Sequence, residues 1–228
     1  MSDLHTCERR IAVREEIEVD SVWSRPRGAA PRRAVILAHG AGSDMHAPIL
    51  RYLQEGLARD GALAIRFNFP YREQGRKAPD RAPLLEATWR AVLAALRAQP
   101  EFASLPLILG GRSMGGRMAS HLAAAGDPCE GLVLLGYPLH PARRPDKLRS
   151  AHLPAIRCPM LFVQGTRDPL CDLDLLQREL AGVSVPWQLQ RIEGGDHSFA
   201  LPRRLGRSEA EVWAEIRASV ARWLQALD

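Results

Sequence analysis

The chain has 228 residues, of which 46% are hydrophobic and 25% are charged. These are ordinary values for a globular protein and exclude an intrinsically disordered chain. The formal net charge is +5 at pH 7, but the basic residues are dispersed along the chain. Because no run of about five like charges occurs, the sequence does not indicate a nucleic-acid-binding arm.

The sequence also bears on the compartment. Its polar first residues and its lack of a long apolar run lead us to expect neither a secretory signal nor a membrane span. The four cysteines show neither a C-x-x-C pair nor the spacing of zinc ligands, which favours free thiols in a reducing environment. We therefore expect a soluble cytoplasmic protein with one α/β domain over residues 1–228.

Strand-like and helix-like segments alternate along most of the chain. An alternating pattern with apolar residues at 11, 13, 17, 19 and 23 predicts one or two half-buried antiparallel strands at a sheet edge. Short apolar runs then alternate with amphipathic segments, which is typical of a mostly parallel, doubly wound sheet with helices on both faces. The predicted strands are 34–38, 62–69, 105–110, 132–136, 160–164 and 186–192. The predicted helices are about 47–59, 84–98, 173–180, one after Ser113 and one beginning with a capping box at 208–211.

The most informative segment is Gly111-Arg112-Ser113-Met114-Gly115, a G-x-S-x-G pentapeptide. It lies between a predicted buried strand and a predicted helix. A sharp strand-to-helix turn exposes a serine hydroxyl, and the flanking glycines allow the backbone to make that turn. The segment therefore predicts a nucleophile, Ser113.

An acid and a base follow the nucleophile in the chain order Ser113, Asp168, His197. All three follow predicted strands, and reactive groups collect beyond the carboxyl ends of parallel strands. We expect His197 to act as general base and Asp168 to orient its imidazole ring. A turn-capping role remains an alternative for Asp168, since Asp-Pro favours turns. The alternative acids are Asp172, Asp174 and Asp196.

The negative charge of a tetrahedral intermediate requires hydrogen-bond donors. We expect one from the backbone N–H of Met114 and a second from that of Ala41, in the loop after the first buried strand. His39 in that loop is expected to pack structurally. The residues predicted to contact substrate are Gly40, Gly42, Tyr71 and Tyr137. We expect the side chains of Arg72, Arg76 and Arg81 to lie on a solvated surface. The alternative is that they attract a carboxylate on the acyl group of the substrate.

The chain resembles the α/β-hydrolase superfamily, in particular its small dienelactone-hydrolase-like members and the family that includes testis-expressed protein thirty. Dienelactone hydrolase itself has a cysteine nucleophile where this chain has Ser113. The connector between Gly136 and Met160 is too short for a helical lid domain. The segments that carry the resemblance are 37–42, 66–71, 110–117, 136–141, 165–168 and 194–199.

The resemblance implies a serine-hydrolase triad without metal or cofactor. We expect a serine hydrolase that cleaves small carboxylic esters through an acyl-enzyme, with a small-molecule ester as its partner and neither nucleic acid nor membrane. Without a lid, short acyl chains should be preferred. The alternative is a catalytically silent α/β-hydrolase fold that acts as a protein-interaction module.

Overall fold

An eight-stranded β-sheet forms the centre of the computed structural model, which describes residues 3–227. The strands are β1 (Leu4–Arg14), β2 (Ile17–Pro26), β3 (Ala34–Ala38), β4 (Leu63–Phe67), β5 (Leu107–Arg112), β6 (Gly131–Leu135), β7 (Met160–Gly165) and β8 (Trp187–Ile192). The helices are α1 (Pro48–Arg59), α2 (Pro70–Glu73), α3 (Ala82–Arg97), α4 (Met114–Ala124), α5 (Leu173–Leu180) and α6 (Glu209–Gln225).

The strands follow the order β1-β2-β4-β3-β5-β6-β7-β8 across the sheet. The first two pair antiparallel with each other, and β2 pairs antiparallel with β4. All pairings from β4 through β8 are parallel. The predicted fold class is confirmed: a mostly parallel sheet with an antiparallel edge.

Helices cover both faces of the sheet and explain the unbroken apolar runs of its central strands. Every residue of β3, β4, β6 and β7 is buried, because a parallel sheet between two helical layers has no solvent-facing side. Helices α3, α4 and α5 contribute to the core on one face, and α1 and α6 to the core on the other. The carboxyl ends of the parallel strands therefore meet at one edge, where the connecting loops emerge.

The predicted elements form, most of them with shifted ends. The strand predicted at 105–110 runs instead from Leu107 to Arg112, because it continues through two glycines that sequence reasoning treats as breakers. Helix α5 has its predicted bounds. The capping box before α6 is also confirmed, with Ser208 as the cap and the Glu211 side chain bonded back to it. The four-residue helix α2 was not predicted.

The connector between β6 and β7 holds a short 3₁₀ turn, Leu153–Ala155, and no other helix or strand among its described residues. The expectation that no lid domain covers this edge is therefore confirmed. None of the helices within residues 3–227 combines the length and apolar character needed to cross a bilayer.

All four cysteines are free thiols, as their spacing predicts. Cys158 and Cys171 are buried, whereas Cys7 and Cys129 are half-buried. The sulfur atoms of Cys129 and Cys158 lie 3.4 Å apart. These two thiols precede β6 and β7, so they lie at the edge of the sheet opposite the loops that carry Ser113 and His197.

Candidate active site

Ser113 occupies a strained turn between β5 and α4. Its backbone angles are φ 51° and ψ −117°, which a non-glycine residue rarely adopts and which cluster at functional sites. The turn passes close to the end of β3: a Cβ added to Gly111 or Gly115 would lie 2.2 Å or 2.5 Å from the Ala38 carbonyl oxygen. The glycines of the motif are therefore required sterically, and they let the turn present the serine side chain above the sheet.

Three side chains from distant parts of the chain form a hydrogen-bonded series at this edge. The Ser113 Oγ lies 2.9 Å from His197 Nε2, and the His197 Nδ1 lies 2.7 Å from Asp168 Oδ2. An ionised carboxylate only accepts hydrogen bonds, so Nδ1–H donates to Asp168 and Nε2 is free to accept the serine hydroxyl. The Asp168 side chain is fully buried, whereas 22% of the His197 side chain is exposed. The arrangement fits a catalytic triad.

The alternative acids have other partners. Asp196 Oδ1 accepts hydrogen bonds from the N–H groups of Ser198 and Ala200, at 2.7 and 3.0 Å, and so stabilises the loop that carries His197. Asp172 caps α5 through the N–H groups of its first turn, and Asp174 is exposed on that helix. Among the acids weighed from the sequence, Asp168 is the one that contacts the imidazole ring.

Arg112 and Gly136 support the histidine and were missed by sequence reasoning. The Arg112 Nη2 donates to Ser198 Oγ at 2.7 Å and to the His197 carbonyl at 3.3 Å. A Cβ on Gly136 would lie 3.2 Å from the His197 carbonyl oxygen, which is tighter than ordinary contact, and the φ of 59° at this position favours glycine. Arg112 directly precedes the nucleophile, and no spacing rule singles it out. Gly136 follows a strand end, which was the available signal.

The loop after β3 lies against the nucleophile. A Cβ on Gly40 would be 3.3 Å from the Ser113 Cβ, whereas Ala41 and Gly42 are exposed beyond it. Met114 is the first residue of α4, so its N–H has no acceptor within the helix. The structure therefore places the loop that contains Ala41, one predicted donor, against Ser113. Met114, the other predicted donor, directly follows Ser113.

His39 holds that loop in place. Its ring is fully buried; the Phe69 N–H donates to Nε2 at 3.1 Å, so Nδ1–H donates to the Gly40 carbonyl at 2.9 Å. In the neutral tautomer, both ring nitrogens form a hydrogen bond. Burial lowers the pKa of His39 to about 4. The expected structural role agrees with these contacts.

Burial of His39 predicts a loss of stability in acid. Its pKa is about 4 in the folded protein against an ordinary value of 6.5 for histidine, so between these pH values the unfolded chain binds a proton that the folded protein does not. Stability is therefore full above pH 6.5 and falls by about 3 kcal/mol as the pH drops to 4. Urea unfolding from pH 7 to pH 4 should show a smaller loss in His39→Gln. An equal loss in both proteins would contradict this prediction.

That Tyr71 and Tyr137 contact substrate stays a prediction. Both are buried, at 0% and 1% exposure, because the aromatic rings pack into the core beneath the loops. The Tyr71 hydroxyl donates to the Gly40 carbonyl at 3.4 Å, and that of Tyr137 donates to the Arg149 carbonyl at 2.7 Å. Burial raises the pKa of Tyr71 to about 12 and also raises that of Tyr137. The two tyrosines support the loops from below.

Two of the arginines weighed as carboxylate ligands already have acidic partners. Arg72 lies 3.5 Å from Asp44, and Arg76 forms an ion pair with Asp80. Arg81 is exposed where α3 begins. The structure therefore favours the solvated-surface interpretation for this segment.

The sequence matches known proteins over most of its length. Residues 31–225 match the family model described as an alpha/beta hydrolase domain. Proteins from two strains of Mycobacterium tuberculosis, each named as a candidate phosphoribosyl transferase, are 34% identical to this chain over 177 residues. That match covers 77% of this chain but 38% of those proteins, so the chain spans well under half of their length.

Solved structures share the whole fold. A dienelactone hydrolase from Anabaena variabilis superposes with a TM-score of 0.77 at 21% identity, covering 99% of both chains. An α/β serine hydrolase without a lid, from Xanthomonas campestris, superposes with a TM-score of 0.70 at 20% identity, covering 96% of this chain and 94% of that one. At these identities the likeness shows the fold alone.

Proposed function

Because the chain belongs to the alpha/beta hydrolase family, we propose that it is a serine hydrolase that cleaves small carboxylic esters through an acyl-enzyme. The observation that carries this proposal is the hydrogen-bonded series from Ser113 through His197 to the buried Asp168. A serine hydroxyl is a weak nucleophile unless an adjacent base removes its proton. The contact between Ser113 Oγ and His197 Nε2 provides that base.

The proposed reaction has two acyl-transfer steps. Ser113 Oγ attacks the ester carbonyl while His197 Nε2 takes the hydroxyl proton, and His197 then gives that proton to the departing alkoxide. The acyl group remains on Ser113. Water, deprotonated by His197, attacks the acyl carbonyl, and the bond to Ser113 Oγ breaks as His197 returns the proton to Oγ and the carboxylic acid leaves. Asp168 holds the ring in the required tautomer and stabilises the imidazolium, and no step requires a metal or cofactor.

The oxyanion of each tetrahedral intermediate is assigned to two backbone donors. The Met114 N–H lies at the positive end of α4 and has no helical acceptor, and the Ala41 N–H lies in the loop that packs against Ser113. Loss of one such donor typically costs about 2.7–4 kcal/mol of transition-state stabilisation. Gly40 and Gly42 flank Ala41 and keep this side of the site free of side chains.

Small esters are proposed as substrates because the site is open. The connector after β6 forms no lid, so nothing in the described part of the chain encloses a long acyl group. The Anabaena neighbour is named for a lactone, which is a cyclic ester, and this agrees with the proposed bond type.

We further propose that residues 1–228 act as one domain. The four free thiols support a reducing compartment such as the cytoplasm.

Fluorophosphonate labelling tests the proposal against a catalytically silent interaction module. A fluorophosphonate probe phosphonylates a serine only when a base activates it. We expect rapid labelling of the wild-type protein and none of Ser113→Ala, with both proteins folded as judged by circular dichroism. Folded wild-type protein that remains unlabelled would contradict the proposed function and favour the interaction module.

A further inference from the structure

Two of the four thiols are in contact, although 29 positions separate them along the chain. The sulfur atoms of Cys129 and Cys158 lie 3.4 Å apart. The Cys129 thiol donates to the Gly131 carbonyl at 3.1 Å, so its sulfur accepts the hydrogen bond from Cys158. A disulfide requires the two sulfur atoms to approach to about 2.05 Å, and here they start in contact.

The backbone around the two thiols is fixed by the pairing of β6 with β7. Cys129 lies two residues before β6, and Cys158 lies two residues before β7. Leu132 and Met160 are in register, and the Leu132 N–H donates to the Pro159 carbonyl at 2.9 Å. Neighbouring strands lie about 4.7–4.9 Å apart, within the range of about 4.4–6.8 Å that separates the Cα atoms of a disulfide. Closing the disulfide therefore requires rotation of two side chains and no movement of a strand.

The thiol pair lies near the surface of the protein. Cys129 is half-buried, and Cys158 is 6% exposed. The flanking residues Pro128, Glu130 and Arg157 are all exposed. A small oxidant dissolved in water therefore reaches the pair without unfolding of the chain.

The contact also makes the two thiols chemically unequal. A hydrogen bond from Cys129 stabilises the thiolate of Cys158 and lowers the pKa of Cys158. The same contact, together with burial, raises the pKa of Cys129 well above its ordinary value. Because the thiolate is the nucleophile in thiol oxidation, Cys158 attacks the oxidant first and Cys129 then attacks Cys158.

The other two cysteines provide internal controls. Cys7 lies on β1, and four strands separate β1 from β6 in the sheet. Cys171 follows β7, at the edge of the sheet where the active-site loops emerge. Burial raises the pKa of Cys171 to about 12, so its thiolate is scarce. Neither thiol reaches the pair in the folded protein.

We infer that Cys129 and Cys158 are an oxidation site, which a hydroperoxide converts into a reversible disulfide. The inference does not depend on the proposed hydrolase function. The disulfide closes a loop over residues 130–157, which contains β6 and the connector that follows it. Such a cross-link constrains the unfolded chain and so stabilises the fold.

The oxidation takes place in two steps. The Cys158 thiolate attacks one oxygen of hydrogen peroxide, the O–O bond breaks, and the departing hydroxide takes up the proton that Cys158 released. The product is a sulfenic acid on Cys158. The Cys129 sulfur then attacks the Cys158 sulfur, the S–O bond breaks, and the hydroxyl group leaves as water with the Cys129 proton. The two thiols lose two electrons and two protons in total, and one peroxide becomes two waters.

Peroxide treatment of the full chain tests this inference. The reduced wild-type protein is treated with hydrogen peroxide, denatured in N-ethylmaleimide and analysed by mass spectrometry. We expect a loss of about 2 Da and the uptake of two maleimides in place of four. Trypsin should release a linked species that joins residues 118–143 to residues 158–167. The pair should be oxidised at least about tenfold faster than Cys7 or Cys171.

Cys129→Ser and Cys7→Ser form a matched pair of variants. Cys7→Ser should give the linked species at the wild-type rate, and Cys129→Ser should give none. Dithiothreitol should restore both thiols of the wild type by exchange. Oxidation should raise the Tm of the wild type by about 5–10 °C, and it should leave the Tm of Cys129→Ser unchanged.

Three results would overturn the inference. The first is oxidation of all four thiols at equal rates, and the second is a disulfide that includes Cys7 or Cys171. The third is oxidation of Cys158 to its sulfinic acid without any linked species. A linked species that leaves the Tm unchanged would overturn the stabilising role. Because the linked species is sought in the wild-type protein, these results hold even where a serine variant fails to fold.

Discussion

Replacing Ser113 by Ala is expected to lower kcat for p-nitrophenyl acetate by about 10⁵- to 10⁶-fold. The alanine methyl group cannot attack a carbonyl, so the acyl-enzyme cannot form, although the oxyanion donors and the substrate site remain. The hydroxyl is 2.9 Å from the base, and the surrounding glycines fix the turn whatever side chain residue 113 carries. The loss should therefore arise without unfolding, which circular dichroism and thermal unfolding can verify.

Ser198→Ala is the matched control for this substitution. Ser198 lies in the loop that carries His197, and its hydroxyl accepts a hydrogen bond from Arg112 at 2.7 Å, so its removal loosens the loop without removing a nucleophile. We expect a loss of less than about tenfold in kcat. Retention of more than a tenth of the wild-type kcat in Ser113→Ala would show that another group attacks the ester.

Replacing Asp168 by Asn is expected to lower kcat by about 10⁴-fold. Asp168 Oδ1 accepts the Leu170 N–H at 2.8 Å, and Oδ2 accepts the His197 Nδ1–H at 2.7 Å. In the asparagine variant, the amide oxygen is required for the Leu170 N–H, so the amide NH₂ group faces His197. The ring must then carry its proton on Nε2, where it can no longer accept the serine proton.

Asp196→Asn provides the comparison for the acid assignment. The Asp196 Oδ1 accepts hydrogen bonds from two backbone N–H groups of the loop, and the side-chain oxygen of asparagine can accept the same two bonds. We therefore expect less than about a tenfold change in kcat. Steady-state kinetics on both variants, with thermal unfolding as the folding control, provides the measurement. A larger loss in Asp196→Asn than in Asp168→Asn would transfer the acid role to Asp196.

The three polar residues of the site could be predicted because of the topology of the sheet. Ser113, Asp168 and His197 are far apart in sequence, but each follows a parallel strand, and parallel strands end at the same edge. The apolar runs that define those strands are strong signals, since both faces of the sheet are covered. Position along the chain was therefore sufficient to identify residues that the fold brings into contact.

Side-chain direction in the loops was not predictable in the same way. Tyr71 and Tyr137 lie in loops at the active-site edge, but their rings turn into the core, where burial of an aromatic surface is favourable. The end of β5 was also misplaced, because a glycine indicates a break unless the close approach of a neighbouring strand is known.

Trapping the acyl-enzyme tests the central claim most directly. The wild-type protein is mixed with p-nitrophenyl acetate, quenched in acid within the first turnover, digested and mapped by mass spectrometry. We predict an acetyl group on Ser113, and its accumulation in His197→Ala only at a greatly reduced rate. An acetyl group on a different residue, or ester hydrolysis without any covalent adduct, would contradict an account in which Ser113 is the nucleophile.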